Sequence, residues 1–141
     1  DFFVGLMVRS ILGEKINFVG KKELFTPYFG WFFRLLGGIP IDRSGSGGSV
    51  QSIIKLFKEN KKFRVALAPE GTRKKVKQLK TGFYHIAQQL KIPIVPVTFD
   101  YANKKIIIYP SFYSTNNKFM DLKKLETLLK GSSGFSKAKS F

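Results

Sequence analysis

Two kinds of apolar spacing alternate along this chain, and that alternation limits its possible folds more than any other feature. Val50, Ile53, Ile54 and Phe57 recur at i, i+3, i+4 and i+7, the spacing of one helix face. The near-continuous apolar run at residues 63–68 follows, as expected of a strand covered on both faces. Phe83, Ile86, Ala87 and Leu90 return to helical spacing, and residues 92–99 and 106–109 to strand-like runs. Leu122, Leu125, Leu128 and Leu129 predict a last helix with Asp121 as its cap. Upstream, Phe2, Phe3, Leu6, Met7 and Leu12 predict a helix ending at Gly13, and residues 16–19 a short strand. Thr26-Pro27 reads as a helix start, an N-cap Thr with Pro at the first helical position. That helix carries Tyr28, Phe29, Trp31, Phe32, Phe33, Leu35 and Leu36, ends at Gly37, and leads into a brief strand, Ile39-Pro40-Ile41. Helix-sized crossovers between strands imply an α/β fold, one domain with a mixed, partly parallel sheet flanked by helices. The domain is expected over residues 1–130, with 131–141, rich in Gly, Ser and Lys, as a loose tail.

Charge narrows the function classes. Lys and Arg number 25 against 9 Asp and Glu, a net charge of +16. A surplus of that size implies an anionic partner: nucleic acid, lipid headgroups or a phosphorylated ligand. With no cysteine, disulfide frameworks, thiolate zinc sites and Cys nucleophiles are excluded. With one histidine, a His-rich metal site is excluded as well, and no metal is expected. No apolar run approaches the ~18–20 residues of a membrane span. The most apolar stretch, residues 29–41, is broken by Arg34 and Gly37-Gly38. No signal-peptide pattern is visible. The chain starts on Asp1 at full hydrophobic intensity, so a preceding segment is expected.

Several segments carry candidate chemistry, each with a plainer alternative. In Ala68-Pro69-Glu70-Gly71-Thr72-Arg73, Pro69 ends a strand and Gly71 permits close approach of backbone to a ligand. Arg73 offers a planar fork matched to phosphate oxygens, and Glu70 accepts from hydroxyls. The alternative is an ordinary turn with a surface salt bridge. Gly37-Gly38-Ile39-Pro40-Ile41-Asp42-Arg43 turns a helix sharply into a strand and sets Arg43 at the strand's end; a solvated Asp-Arg pair is the alternative. Both segments follow strands, and α/β sheets bind ligands beyond the carboxyl ends of their strands. Glu70, Arg73 and Arg43 are therefore expected to line one pocket near Asp1. The basic run Arg73, Lys74, Lys75, Lys77 and Lys80 suits phosphates, lipid headgroups or nucleic acid, although a lone charge run is more often a solvated loop. His85 has no catalytic motif around it and reads as structural. The loop at residues 44–49 lacks the P-loop lysine and a full Gly-x-Gly-x-x-Gly, so it reads as a connection and helix N-cap. Most of the 15 Phe belong in the core, but Phe2-Phe3 and residues 29–33 could form an apolar surface dipping into a bilayer interface.

Read in order, these segments form a series: Gly20-Lys21-Lys22-Glu23-Leu24, the block ending Ile41-Asp42-Arg43, Pro69-Glu70-Gly71-Thr72-Arg73, Lys80-Thr81-Gly82, and Ile92-Pro93-Ile94-Val95-Pro96-Val97. The series closely resembles the glycerolipid acyltransferase family, which includes the 1-acylglycerol-3-phosphate acyltransferases, over about residues 1 to 110. The resemblance makes Asp1 the Asp of the family's His-x-x-x-x-Asp block, with the His five positions upstream of this chain. It implies that the His is the general base on the acceptor hydroxyl and that Asp1 orients and stabilises its imidazole. It implies that Arg43 and Arg73 hold phosphate, that Glu70 and Gly71 shape the glycerol site, and that Thr72, Lys21 and Lys80 are further substrate-binding positions. No cofactor is implied; acyl-CoA or acyl carrier protein is the co-substrate, and without the His this chain is expected to be inactive. The implied partners are a lysophospholipid acceptor and a membrane lipid surface, with the enzyme peripheral on the cytoplasmic face of a bacterial inner membrane. A different hydroxylated lipid, such as an amino-lipid, is the rival acceptor. A basic nucleic-acid-binding module is the rival class, disfavoured because the aromatics cluster in apolar helices instead of interleaving with Lys and Arg on a sheet face.

Overall fold

The structure is a computed structural model and describes residues 9–41, 48–68 and 79–130. The chain forms two compact units, Asp1–Leu67 and Ala68–Phe141.

In the first unit, residues 9–12 are helical and end in a turn at Gly13. Strand β1 (Asn17–Lys21) runs into a 3-10 turn (Lys22–Leu24), then helix α1 (Gly30–Leu35), strand β2 (Gly38–Ile41), helix α2 (Gly48–Glu59) and strand β3 (Val65–Ala66). The three strands form a parallel sheet in the order β2-β1-β3. Parallel neighbours need a crossover, and α1 and α2 supply one each. Phe18 pairs with Gly38 and Lys21 with Ile41 on one side, and Asn17 with Val65 and Phe18 with Ala66 on the other. The Asn17 side-chain amide adds a bond to the Gly37 carbonyl (3.1 Å), tying the start of β1 to the turn before β2.

Helix α2 follows its sequence pattern: Ile53 and Ile54 are buried, and Phe57 meets Phe63 edge to face at 4.8 Å. Each buried isoleucine contributes about 1.5–3 kcal/mol as an upper estimate. Gly37, at φ +85°, ends α1 as expected, because an L side chain strains in that left-handed conformation. Two expectations are corrected here. Thr26 does not cap α1 through its side chain. Residues 27–29 form a turn in which the Thr26 carbonyl accepts the Gly30 N–H at 2.7 Å, and regular helix begins only at Gly30. The run at 63–68 gives only the two-residue β3, whose surroundings alternate half-buried and exposed, so one face is covered, not two.

The second unit contains helix α3 (Gly82–Leu90), the antiparallel strands β4 (Val97–Asp100) and β5 (Lys105–Ile108), and helix α4 (Lys118–Lys130). Leu79, Tyr84, Ile86, Ala87 and Leu125 are its buried hydrophobic residues among those described. The strand expected over 92–99 starts five residues late. Pro93 and Pro96 have no N–H to give a ladder, so before the regular strand at Val97 there is only an isolated bridge from Ile94 to Phe112 and a bond in which the Pro96 carbonyl accepts the Tyr109 N–H (2.9 Å). The hairpin turn is held by Asp100, whose carboxylate accepts the Asn103 backbone N–H (3.1 Å) and side-chain amide (2.7 Å). Every residue of β5 is exposed. Helix α4 also starts earlier than expected. Asn117 provides the capping acceptor, its side-chain oxygen taking the Met120 N–H at 3.1 Å, so Asp121 is not the cap and is freed for another role. The expected tail at 131–141 lies outside the described residues.

Candidate functional site

Because β1, β2 and β3 are parallel, their carboxyl ends share one sheet edge. Lys21 is the last residue of β1 and sits beside Ile41, the last residue of β2. Its side chain is exposed while Ile41 is buried, so the edge joins an apolar floor to a solvated ammonium. The chain leaves that edge through the 3-10 turn, where Lys22 and Glu23 are also exposed. Phe25 closes the turn: its ring lies within 3.1 Å of where a Cβ on Gly20 would stand, and it meets Phe33 edge to face at 6.0 Å. An exposed ammonium at the carboxyl edge of a parallel sheet can attract a phosphate without prior desolvation.

Lys21 thus lies at the carboxyl end of β1. Lys80 is in the second unit, exposed, two residues before α3. Asp1, Arg43, Glu70, Gly71, Thr72 and Arg73, and the pocket expected of them, lie outside the described residues. His85 is exposed on α3, with the Lys118 ammonium 3.3 Å from its Nε2. Among the described residues no group of three or more His, Cys, Asp or Glu is placed to hold a metal ion, and no helix is long and apolar enough to cross a membrane.

Two arrangements escaped the sequence reading. The first is a buried polar cluster. Asp121 Oδ2 accepts the Thr115 backbone N–H (2.7 Å), the Thr115 hydroxyl (3.0 Å) and the Tyr84 hydroxyl (2.9 Å), while the Tyr84 hydroxyl also lies 2.8 Å from the Thr115 carbonyl. Burial acts to raise the Asp121 carboxyl, but the Thr115 N–H, the two hydroxyls and nearby Lys124 together hold it below its ordinary value of 3.8. Burial first, then the hydrogen bond to Asp121 and its charge, push the Tyr84 phenol above 10.0. An acid four residues into a helical segment suggests a cap or a first-turn charge, and nothing in the sequence marks Tyr84 as its partner.

The second is how the aromatics divide. Phe33 faces inward, half-buried, whereas Tyr28, Phe29, Trp31 and Phe32 are exposed. Trp31 packs edge to face on Phe32 (6.0 Å) and Phe32 on Phe33 (5.9 Å), a ring-to-ring path from surface to interior. Beside α1 an open groove of about 420 Å³ is lined by Arg9, Ser10, Gly13, Glu14, Lys15, Leu35 and Leu36. In it the Arg9 guanidinium donates to the Leu36 carbonyl, and Glu14 is ion-paired with Arg64.

Comparison with known proteins places the chain in a class. Residues 2–100 match the family described as Acyltransferase, and the chain belongs to that family. It is similar to the 1-acyl-sn-glycerol-3-phosphate acyltransferase of Saccharomyces cerevisiae, 35% identical over 130 residues, covering 86% of this chain and 42% of the relative. The Escherichia coli enzyme of the same name is 35% identical over 95 residues, 62% of this chain and 38% of the relative. That of Bacillus subtilis is 38% identical over 93 residues, 64% and 46%. The chain spans less than half the length of these relatives. No solved structure matches it.

Proposed function

We propose that this chain is the catalytic part of an O-acyltransferase that moves a fatty acyl group from acyl-CoA or acyl carrier protein to the free hydroxyl of 1-acylglycerol 3-phosphate. The observation that carries the reading is the match to the Acyltransferase family over residues 2–100, which spans the blocks from Gly20 to Val97. The placement of Lys21 at the carboxyl edge of the parallel sheet supports it independently.

In the proposed reaction a histidine five positions before Asp1 takes the hydroxyl proton, and Asp1 holds the imidazole and stabilises its charged form. The oxygen attacks the thioester carbonyl carbon. The tetrahedral intermediate collapses with loss of the C–S bond, and the thiolate takes the proton back from the imidazolium. Neither an acyl-enzyme nor a metal is required. Arg43 and Arg73 hold the acceptor phosphate, Glu70 and Gly71 shape the glycerol site, Thr72 is a further substrate-binding position, and Lys21 and Lys80 add positive charge. The enzyme works peripherally, at the cytoplasmic face of the membrane that supplies its acceptor.

The test is Arg73→Lys in protein carrying the complete His-x-x-x-x-Asp block, with each substrate varied separately. A guanidinium gripping phosphate through two parallel bonds is not replaced by an ammonium. Losing one charge-assisted bond of about 1.5–3 kcal/mol lowers kcat/KM for the acceptor by roughly 10- to 150-fold and leaves the acyl donor nearly unaffected. An unchanged acceptor kcat/KM, or an equal loss for both substrates, removes Arg73 from the phosphate site.

A further inference from the structure

Tyr28, Trp31, Phe32 and Leu35 recur at i, i+3, i+4 and i+7, the spacing that in a globular protein turns a helix face toward the core. Here that face is turned to solvent: the four residues are 83%, 65%, 42% and 72% exposed. The opposite face is the one that packs, through buried Gly30 and half-buried Phe33. The segment therefore puts its smallest residue inward and its largest rings outward, the reverse of what water alone as a neighbour would favour. The 2.7 Å bond from the Gly30 N–H to the Thr26 carbonyl brings Tyr28, in the preceding turn, into line with the helical residues.

Cations border this stripe. Arg34 is exposed on its flank, and Leu35, within it, also lines the groove that contains Arg9 and Lys15. The acid of that groove, Glu14, is neutralised by Arg64. Tyr and Trp concentrate at the headgroup level of bilayers, where one side of the ring meets acyl chains and the other meets water.

We propose that this outward stripe is the surface by which the chain docks onto an anionic phospholipid bilayer, with Trp31 entering the interface and Arg34 and Lys15 meeting headgroup phosphates. The proposal rests on the lipid-acceptor reading above and deepens it by naming the contact. The net charge of +16 supplies long-range attraction, and the aromatic stripe supplies the apolar contact that charge alone does not.

Trp31 is the chain's one tryptophan, so its emission reports on this surface directly. The full chain is titrated with vesicles of phosphatidylcholine alone and of phosphatidylcholine with phosphatidylglycerol. The expected result is a blue shift of Trp31 emission on the anionic vesicles and quenching by lipids brominated along the acyl chain. Tyr28→Ser with Leu35→Ser keeps the reporter and lowers vesicle affinity by roughly tenfold or more. Lys15→Gln and Arg34→Gln each lower it by about fivefold, on anionic vesicles only. All four side chains are solvent-exposed, and far-UV circular dichroism checks that the variants fold.

Anionic-vesicle binding with Trp31 emission unmoved overturns the proposal, because another surface is then in contact. So does a double variant that binds as tightly as the parent. A lipid-free chain that sediments as two copies with Trp31 shielded from acrylamide overturns it too, because a second copy then covers the stripe. Vesicle binding is read without catalysis. Absence of acyl transfer by protein with the complete His-x-x-x-x-Asp block therefore counts against the reading above, and the docking proposal is decided by Trp31 alone.

Discussion

Asp121 shows how one side chain changes role when its neighbour in sequence takes over the expected one. With Asn117 capping α4, the Asp121 carboxylate turns inward and gathers three donors. Asp121→Ala strands the Thr115 N–H in a partly buried setting, and a loss of about 1–3 kcal/mol is expected, read as a lower urea midpoint by far-UV circular dichroism. The pH dependence has a definite sign. Because the native carboxyl is held below 3.8, its contribution is present above that pH and is lost as pH falls through the lower native value. The stability gap between the parent and Asp121→Asn should therefore close in acid. Tyr84 acts in the opposite direction: its phenol is raised above 10.0, so its contribution is present below pH 10.0 and is lost as pH rises through the native value. None of this was legible in the sequence, because Tyr84 and Asp121 are 37 positions apart and only the packing of their helices makes them partners. The residues that carry the proposed chemistry were the reverse case. Lys21 and the blocks holding Arg43 and Arg73 stand out in the sequence by residue type and order; of these, Lys21 is seen at a strand end, and Arg43 and Arg73 lie outside the described residues.

At the scale of elements, the helices were easier to read than the strands. The Ile53-Ile54 face of α2 is a local pattern, and a local hydrogen-bond ladder satisfies it. Strand lengths depend on what pairs with them: β3 is short because it pairs with only Asn17 and Phe18 of β1, and β4 is delayed by prolines that break its ladder. The start of α1 was misplaced because Thr26-Pro27 carries a strong local start signal, while the actual start is set by contact with Phe25. A Cβ on Gly30 would stand 2.8 Å from the Phe25 carbonyl oxygen and 2.9 Å from its carbon, both backbone atoms that cannot move aside cheaply. Two effects oppose each other in Gly30→Ala. Helix propensity favours Ala by about 1 kcal/mol, and overpacking costs about 1–3 kcal/mol. The clash is with backbone, so the expected sign is destabilising, measured as a lower urea midpoint by Trp31 fluorescence.

For the molecule as a whole, composition pointed to an anionic partner but not to its kind. A chain of net charge +16 is expected to bind duplex DNA at low salt through charge alone. That binding should show no sequence preference and, for six to ten phosphate contacts, weaken by roughly 10³–10⁵ between about 50 and 200 mM salt, measured by fluorescence anisotropy of labelled DNA. It should leave Trp31 emission where it was, because phosphates offer the outward rings nothing apolar. The fold class was legible because alternation of spacing survives any error in element boundaries. The division of the aromatics was not, because the same i, i+3, i+4, i+7 pattern describes a core face and a surface face. Strand β5 carries Ile106, Ile107 and Ile108 in succession, all exposed, in a two-stranded sheet whose outer side has no partner among the described residues. Such a strand is a template for copies of itself. Lys104 precedes the strand and Lys105 opens it, the placement of charged gatekeepers beside an exposed apolar edge, so replacing both with Ser is expected to lower the concentration at which the protein precipitates.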